Sequence, residues 1–289
     1  MDDNEIVINV LNEILLIPVD KLTLLQYLTF SDSFNQPLSN SLDKLTLLEC
    51  LTFSDSFNQP LSNSLDKLTF LQYLTFGHYF NQPLSNSLDK LTSLECLTFR
   101  NCFNQPLTNS LDKLTFLQCL TFSNCFNQPL SNSLDKLTFL QCLTFGNCFN
   151  QPLSNSLVKL TSLQYLSLSY CFNQQLDLPS NIKYLVLDSN NQYVIDNLHN
   201  NIEELTLGYK FNLELDNLPS SIKKITFMKY SEYHKELNNL PSSVEYISLP
   251  LTYEKKILNI PKNLKEINFN KNYKFINDFS NYQVSLFEY

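Results

Sequence analysis

The side chains best suited to chemistry are eight cysteines, which the spacing of the sequence arranges in two columns. One column directly precedes a recurring phenylalanine, and it contains Cys102, Cys125, Cys148 and Cys171. The other occupies a position predicted to face outward from short strands, and it contains Cys50, Cys96, Cys119 and Cys142. Zinc needs four ligands that converge tetrahedrally, whereas equivalent positions in a column diverge along an axis. The sequence also has no Cys-x-x-Cys pair, so we predict no metal site.

Disulfide bonds are the alternative chemistry for these columns. Neighbouring strands lie about 4.8 Å apart, which is within the Cα separation that a disulfide tolerates. The chain nevertheless has 289 residues, of which 43% are hydrophobic, and a core of that size does not need cross-links. We therefore predict reduced, structural cysteines.

The other titratable residues form no recognisable catalytic arrangement. The histidines are His78, His199 and His234, and none lies in a readable nucleophile or metal motif. Many acidic residues are copies of one repeat position, as in Asp43, Asp66, Asp89, Asp112 and Asp135. An active site needs one special place, so copied residues indicate structure. The sequence has no dinucleotide fingerprint, Walker loop or Gly-x-Ser-x-Gly motif. We predict that the chain is not an enzyme and binds no cofactor.

The elements that carry these residues are sequence repeats. Phe-Asn-Gln-Pro recurs every 23 residues, and Phe-Asn-Gln-Gln follows at Phe172; the six copies begin at Phe34, Phe57, Phe80, Phe103, Phe126 and Phe149. A second pattern, Leu-x-x-Leu-x-Phe, begins at Leu25 and recurs in related form twelve times, ending at Phe269. Its spacing shortens to between 19 and 22 residues after Leu163. Short units with a fixed period are typical of solenoids, in which each unit packs on its neighbours.

Each triplet suits one short strand whose alternate residues point inward. We therefore predict a leucine-rich-repeat-like α/β solenoid with one parallel sheet of about twelve short strands. The return segments are too short for more than one helical or 3₁₀ turn, so they should be irregular. The repeated phenylalanines should stack into an aromatic spine, and the asparagines beside them should satisfy buried backbone groups or else lie solvated in a turn.

The ends of the array are predicted to be caps. Asp3 suits a helix N-cap, and the apolar residues that follow it have helical spacing, so residues 3–15 should form a capping helix. The predicted domains are an N-terminal cap over 1–18, one solenoid over 19–270 and a C-terminal cap over 271–289. Within the solenoid, 19–173 holds the regular units and 174–270 holds shorter, divergent units.

The strings SFNQPLSNSLDKLTLLECLTF and LPSSIKKITF resemble the FNIP repeat, a leucine-rich-repeat relative of social amoebae and of giant viruses of amoebae. The resemblance extends over roughly residues 17–270. It implies a protein-interaction surface and, if the chain is viral, a location in the host cytoplasm. Many members of the family carry an F-box ahead of the repeats, which links them to ubiquitin ligases. Residues 1–18 are too few for an F-box, so that role would require an F-box on another chain.

The charge of the chain bears on its partners. The net charge is -8 and Arg100 is the single arginine, so nucleic acid is not an expected partner. No apolar run approaches the roughly 20 residues of a membrane helix, and the acidic start, Met1 to Glu5, lacks the positive charge of a secretory signal. We therefore expect a cytoplasmic protein without a membrane partner.

The predicted partner site is the exposed column of the strands, because tyrosines bury a large area and keep a polar tip. Departures from the repeat on two neighbouring units, just past the strand ends, indicate either a second footprint or drift within a duplicated array. The candidate residues are Tyr27, Tyr73, Tyr165, Tyr184 and Tyr246 on the strands, with His78, Tyr79 and Arg100 at the strand ends. The function predicted is binding of another protein, for example from a host cell. The alternatives are a structural or decoy repeat protein without a ligand, and the substrate-recognition part of a ubiquitin ligase.

Overall fold

The computed structural model describes residues 5–8, 12–15, 18–153 and 155–287. The chain forms two compact units, Met1–Leu163 (unit 1) and Gln164–Tyr289 (unit 2). Each unit contains parallel strands in which every strand pairs with the next strand along the chain. The predicted fold class, a leucine-rich-repeat-like parallel solenoid, is confirmed in each unit. The predicted domain boundaries stay a prediction.

Unit 1 contains seven of these strands and two short helices. The helices are α1 (Asn12–Leu15) and α2 (Val19–Leu22). The strands are β1 (Glu5–Ile8), β2 (Tyr27–Phe30), β3 (Cys50–Phe53), β4 (Tyr73–Phe76), β5 (Cys96–Phe99), β6 (Cys119–Phe122) and β7 (Cys142–Phe145). The register joins equivalent repeat positions, as Leu74 pairs with Leu97 and Phe76 with Phe99. Successive turns of the chain therefore stack in phase.

Side-chain alternation explains why these four-residue segments are strands. In β4, Leu74 and Phe76 are buried, whereas Tyr73 is exposed and Thr75 is half-buried. The same alternation recurs in β3, β5, β6 and β7. A strand this short cannot bury its apolar face alone, so the core forms only where neighbouring turns of the chain stack. Each leucine or phenylalanine buried in this way contributes roughly 1.5–3 kcal/mol.

The aromatic spine predicted from the sequence is confirmed in unit 1. Phe99 at the end of β5 stacks on Phe103 with ring centroids 4.0 Å apart. Phe103 also stacks on Phe80 and Phe126 of the neighbouring repeats, each at 6.1 Å. Two parallel columns of rings thus fill the corner between the sheet and the return segment.

The repeated asparagines form a ladder along this corner. The side-chain oxygen of Asn81 accepts a hydrogen bond from the backbone N–H of Asn104, 2.9 Å away, and another from Gln105 Nε2, 3.1 Å away. The same pair of bonds links Asn58 to Asn81 and Gln82. This confirms the prediction that the asparagines satisfy backbone groups that stacking removes from water.

The return segments of unit 1 are turns with a left-handed residue. Ser39, Ser62, Ser85 and Ser131 have φ between 42° and 46°. In the repeat where threonine replaces this serine, Thr108 is not left-handed and Asn109 takes φ 61° instead. A β-branched side chain is poorly tolerated at positive φ, whereas asparagine tolerates it well, so the left-handed position moves by one residue.

Unit 2 repeats this architecture with shorter turns of the chain. Its strands are β8 (Tyr165–Leu168), β9 (Tyr184–Leu187), β10 (Glu204–Leu207), β11 (Lys224–Phe227), β12 (Tyr246–Ser248), β13 (Glu266–Asn270) and β14 (Gln283–Phe287). A short helix, α3 (Gln192–Asp196), follows β9 and is capped by the Asn191 side chain, which accepts from Val194 N–H. The twelve strands predicted from the leucine triplets are all present, as β2 to β13.

Tyrosines replace phenylalanines in the spine of unit 2. Phe211 stacks on Tyr233 and Tyr233 on Tyr253, each with ring centroids 6.1 Å apart. Burial raises the pKa of Tyr233 and of Tyr253 far above the usual range. The Tyr273 hydroxyl donates to the carbonyl of Lys255, 2.6 Å away. A buried tyrosine is accommodated where its hydroxyl reaches a backbone carbonyl, as at Tyr273 and at Tyr233, which donates to the Glu236 carbonyl 3.4 Å away.

The N-terminal prediction of a helix over residues 3–15 is wrong for Glu5–Ile8, which form β1 and pair with β2. Ile6 and Val7 are β-branched and favour a strand, and the edge of β2 supplies hydrogen bonds that a lone helical turn would not. Of the residues in this range that the structure describes, only Asn12–Leu15 are helical; Asp3 and residues 9–11 lie outside the described residues. At the other end, a 3₁₀ turn (Ile276–Phe279) precedes β14, which pairs with β13.

Candidate functional site

The outward column of unit 1 stands at the first position of each strand. The register places Tyr27 beside Cys50, Cys50 beside Tyr73, and Tyr73 beside Cys96. Tyr27 and Tyr73 are each 44% exposed, while the cysteines between them are half-buried. The predicted outward orientation is confirmed. Two tyrosyl rings therefore rise above the sheet with a smaller cysteine on the strand between them.

Beside this column runs a stripe of half-buried threonines, from Thr29 in β2 to Thr144 in β7. The register pairs each threonine with the next, as Thr98 pairs with Thr121. The exposed surface next to the tyrosines is thus polar but uncharged. Such a surface offers hydroxyl groups that can donate or accept hydrogen bonds.

Three cysteines occupy neighbouring strands in the same column. The Cys119 thiol hydrogen-bonds with the thiols of Cys96 and Cys142. Burial, reinforced by these neighbours, raises the pKa of Cys96 to about 12 and that of Cys142 to about 11. All eight cysteines have free thiols. Because thiolates rather than thiols are nucleophilic, these two groups are poor nucleophiles near neutral pH.

In unit 2 the same strand position becomes charged along the sheet. Tyr165 pairs with Tyr184, so two tyrosines of the candidate site lie on neighbouring strands. The column continues through Glu204 and Lys224, whose side chains form an ion pair of 3.1 Å. The Lys224 ammonium also lies 5.4 Å from the ring centroid of Tyr246. Tyr246 is therefore separated from Tyr184 by a charged pair.

A second charged column adjoins this one. Lys223 binds Glu203 at 2.8 Å and Lys265 binds Glu245 at 2.6 Å, so charges of opposite sign meet on neighbouring strands. The hydrogen bond from Lys223 lowers the pKa of Glu203, and the same bond raises the pKa of Lys223. Solvent screens such exposed pairs strongly, so their main effect is to favour the observed register.

The strand-end residues of unit 1 are only partly brought together. The rings of His78 and Tyr79 meet edge to face with centroids 4.6 Å apart, and His78 Nδ1 hydrogen-bonds with the amide of Asn101 on the next turn of the chain. Tyr79 is 56% exposed. Arg100 is exposed, and its backbone N–H donates to the carbonyl of Phe76 at 3.1 Å. His78 and Tyr79 thus form one contact, and Arg100 begins the adjacent loop.

Unit 2 has a strand-end cluster that the sequence reasoning missed. Lys210 Nζ lies 6.0 Å from the ring centroid of Tyr170, 5.4 Å from that of Tyr209, and 3.4 Å from Glu232. A cavity of about 340 Å³ adjoins Tyr170 and Lys210, and Ser189 lines it. Their position in the repeat could have pointed to Tyr170 and Tyr209, because each lies two residues after the end of a strand, as His78 does.

Within the described part of the chain, no three His, Cys, Asp or Glu side chains converge as metal ligands would. Across those same residues, no helix combines the length and the apolar character needed to traverse a bilayer. The surfaces that stand out are therefore the outward tyrosines of the strands and the clusters at the strand ends.

Comparison with protein families identifies the repeat. Residues 191–230 match the FNIP Repeat model. This segment holds α3, β10 and β11, so the resemblance noted in the sequence is confirmed in unit 2. No curated protein matches the chain.

Several solved structures share the fold. CroV588, a circular leucine-rich-repeat protein of a giant virus, is 27% identical with a TM-score of 0.62 over 86% of this chain, which spans 40% of the length of that one. An internalin of Listeria monocytogenes is 18% identical with a TM-score of 0.60, covering 93% of this chain and 82% of its own. The Drosophila Toll–Spatzle complex contains a chain that is 17% identical with a TM-score of 0.61, covering 92% and 43% respectively. These likenesses show a leucine-rich-repeat-like fold, which is commonly a protein-interaction scaffold.

Proposed function

We propose that this chain is a scaffold that binds another protein through the outward face of its strands. The observation that carries the proposal is the outward tyrosines of the strands: Tyr27 and Tyr73 of unit 1 and Tyr184 of unit 2 are exposed. Tyr184 pairs with Tyr165, which is half-buried. Tyrosine combines a large apolar area with a polar tip and has few rotatable bonds, so it loses little entropy on binding.

The residues around these tyrosines support a protein partner. The threonine stripe beside Tyr73 offers hydroxyl groups without charge, which suits the polar rim of an interface. His78, Tyr79 and Arg100 extend the same region past the strand ends and add an aromatic pair and a guanidinium group. Tyrosine and arginine are enriched among the residues that dominate binding energies.

Affinity capture with the full chain tests the proposal, with mass spectrometry to identify bound proteins. The double variant Tyr73→Ala, Arg100→Ala should weaken binding of a captured partner by roughly 30- to 20,000-fold, because such residues each cost about 1–3 kcal/mol when truncated at an interface. Tyr230→Ala is the matched control, since Tyr230 is 65% exposed but lies outside the strands. The absence of a saturable partner, or equal binding by both variants, would contradict the proposal.

A second candidate function is a structural or decoy repeat protein without a fixed ligand. The observation that favours it is the identity of the strand sequence Cys-Leu-Thr-Phe in β3, β5, β6 and β7, which leaves little variation on the outward face of unit 1. Under this function the capture experiment yields no saturable partner, whereas the tyrosine variants fold and remain soluble like the wild type.

A further inference from the structure

A column of apolar side chains on unit 1 serves neither the core nor the outward face of the strands. We call it the turn ladder, and its members are Leu24, Leu47, Phe70, Phe116 and Phe139. They are between 42% and 62% exposed, although leucine and phenylalanine are buried almost everywhere else in this unit. The rings of Phe116 and Phe139 stack on each other at the surface with centroids 5.8 Å apart.

The geometry of the chain forces these residues outward. Each stands at the tip of a turn closed by a backbone hydrogen bond between two buried leucines, for example from Leu117 N–H to the Leu114 carbonyl at 3.0 Å. Thr115 and Phe116 lie between these leucines and are both exposed. Because the flanking leucines take the inward positions, the tip residue is directed away from the core.

The fold does not require an apolar residue at the tip. Ser93 and Ser162 occupy the same position in two other repeats of unit 1, and the same turn forms there, as shown by the bond from Leu94 N–H to the Leu91 carbonyl at 3.1 Å. The phenylalanines of the turn ladder are therefore not needed to form the turn, and they determine only the character of the surface. Contiguous apolar patches of a few hundred Å² on soluble proteins mark interaction sites.

We propose that the turn ladder binds the turn ladder of a second copy of this chain. The members stand at equivalent positions in five of six consecutive turns of the chain, with a gap at Ser93, and the rings of Phe116 and Phe139 give a spacing of 5.8 Å. A second copy presents the same spacing, and its side chains therefore match along the whole array. A surface that matches itself in this way gives a closed dimer about a two-fold axis.

The charges beside the ladder set the direction of this pairing. One flank carries exposed lysines three residues before each ladder position and its equivalent at residue 93, each directly after an aspartate that is half-buried from Asp43 onward: Lys21, Lys44, Lys67, Lys90, Lys113 and Lys136. The other flank carries the half-buried Glu49 and Glu95, two residues after positions 47 and 93. A two-fold axis parallel to the ladder brings the lysine flank of one copy against the glutamate flank of the other. An axis across the ladder would place lysines against lysines, which is unfavourable.

The area available is sufficient for a dimer. A half-exposed phenylalanine presents about 100 Å², so the five ladder residues of two copies bury on the order of 1,000 Å². The flanking threonines and lysines add to this sum and bring it into the range of stable interfaces, about 1,200–2,000 Å². This surface is separate from the outward tyrosines, so the dimer does not depend on the proposed function.

Sedimentation equilibrium of the full chain measures the association directly. We expect a mass approaching twice 33.6 kDa as concentration rises. The double variant Phe116→Ser, Phe139→Ser copies the residue found at the equivalent positions 93 and 162, so it should fold normally and dimerise at least about 100-fold more weakly. Ser93→Phe fills the gap in the ladder and should strengthen the dimer. Val158→Ser is the control, because Val158 is 70% exposed but lies off the ladder.

A photo-crosslinking amino acid placed at position 70 tests the direction of pairing. In the parallel arrangement it should label the second copy close to its own residue 70. The proposal is overturned if the wild type remains monomeric at high concentration, or if the double variant dimerises as well as the wild type. Labelling only of distant residues, or a monomer that cosediments with anionic phosphatidylserine vesicles, would likewise overturn it.

Discussion

At the scale of single residues, the repeat position of a side chain decides what it does. The asparagine ladder shows this most directly, because each side-chain oxygen accepts two hydrogen bonds from the following turn of the chain. The amide is short enough to reach the backbone and holds an acceptor in a fixed direction. Glutamine one residue later contributes the second donor. Both residues are therefore required by stacking rather than by a ligand.

Substitution of one ladder residue should be costly. Asn81→Ala removes the acceptor for Asn104 N–H and Gln105 Nε2, and the half-buried N–H is left without a partner, so unfolding in urea should become easier by about 1–3 kcal/mol. Asn81→Asp keeps an acceptor in the same place and should cost less. If aspartate destabilises the protein as much as alanine does, the acceptor is not the stabilising feature.

The cysteines Cys96 and Cys142 on the outward face of unit 1 make the stability of the fold depend on pH. The raised pKa values, about 12 for Cys96 and about 11 for Cys142, mean that the folded chain holds these protons more tightly than the unfolded chain. A thiol in an unfolded chain ionises near about pH 8.5, so this stabilisation is complete below that pH and is lost as pH rises through the folded pKa.

The urea midpoint should accordingly be lower at about pH 10 than at about pH 8. In the double variant Cys96→Ser, Cys142→Ser the loss between the two pH values should be smaller, because serine does not ionise in this range. Alkylation with iodoacetamide provides a second measurement, in which the exposed Cys148 should react before Cys96 and Cys142. An unchanged pH dependence in the double variant would contradict the assignment.

At the scale of elements, the strands were predictable because burial and spacing agree. In every leucine triplet, two alternate side chains of the strand point to the same face. Stacking of neighbouring repeats buries that face, so the direction of the strand's side chains is fixed. The first strand was not predictable in this way, because its apolar residues also fit a helix of 3.6-residue period and its pairing partner lies some twenty residues further along the chain. The β-branched Ile6 and Val7 were the local signal for a strand.

Two phenylalanines of unit 1 show the difference between a core position and a surface position. Phe103 stacks on Phe99 and is 1% exposed, whereas Phe116, in the return segment that follows Phe103, is 58% exposed. Phe103→Ala should destabilise the protein by about 3–5 kcal/mol, because it opens a cavity in the spine. Phe116→Ala should change the stability of the monomer by less than about 0.5 kcal/mol. Urea denaturation at low protein concentration measures both, and equal effects would disprove the stacked core.

The candidate sites were predictable to different extents. The outward tyrosines follow from strand alternation, so Tyr27 and Tyr73 could be placed from the sequence. The cluster of Tyr170, Tyr209 and Lys210 could not, since it depends on side chains from turns of the chain that are not consecutive. The turn ladder could not be recognised either, because only the closed turn shows that its leucines and phenylalanines point away from the core.

At the scale of each whole unit, stability is a sum over neighbouring turns of the chain. In unit 1 these turns are interchangeable, because the same leucines, phenylalanines and asparagines meet at each boundary. Stability in such arrays is approximately the sum of the intrinsic stability of the repeats and of the interfaces between neighbours. The number of repeats is therefore not fixed by any single contact.

Removal of one complete repeat should leave the fold intact. Deletion of residues 104–126 joins Phe103 to Asn127 and preserves the 23-residue period. The far-ultraviolet circular dichroism should keep its shape, and the urea midpoint should fall by the loss of about one interface. Deletion of residues 104–123 breaks the period and should abolish cooperative unfolding. Equal behaviour of the two deletions would contradict the interchangeability of the turns.

The left-handed serines of unit 1 have a consequence for how the protein acquires its structure. Ser39, Ser62, Ser85 and Ser131 hold a conformation that serine disfavours by of order 1 kcal/mol or more. A single repeat in water has nothing to offset that cost, so it does not adopt its turn until a finished neighbour offers a template. Folding of unit 1 therefore begins with a slow nucleus of several repeats and then grows outward one repeat at a time.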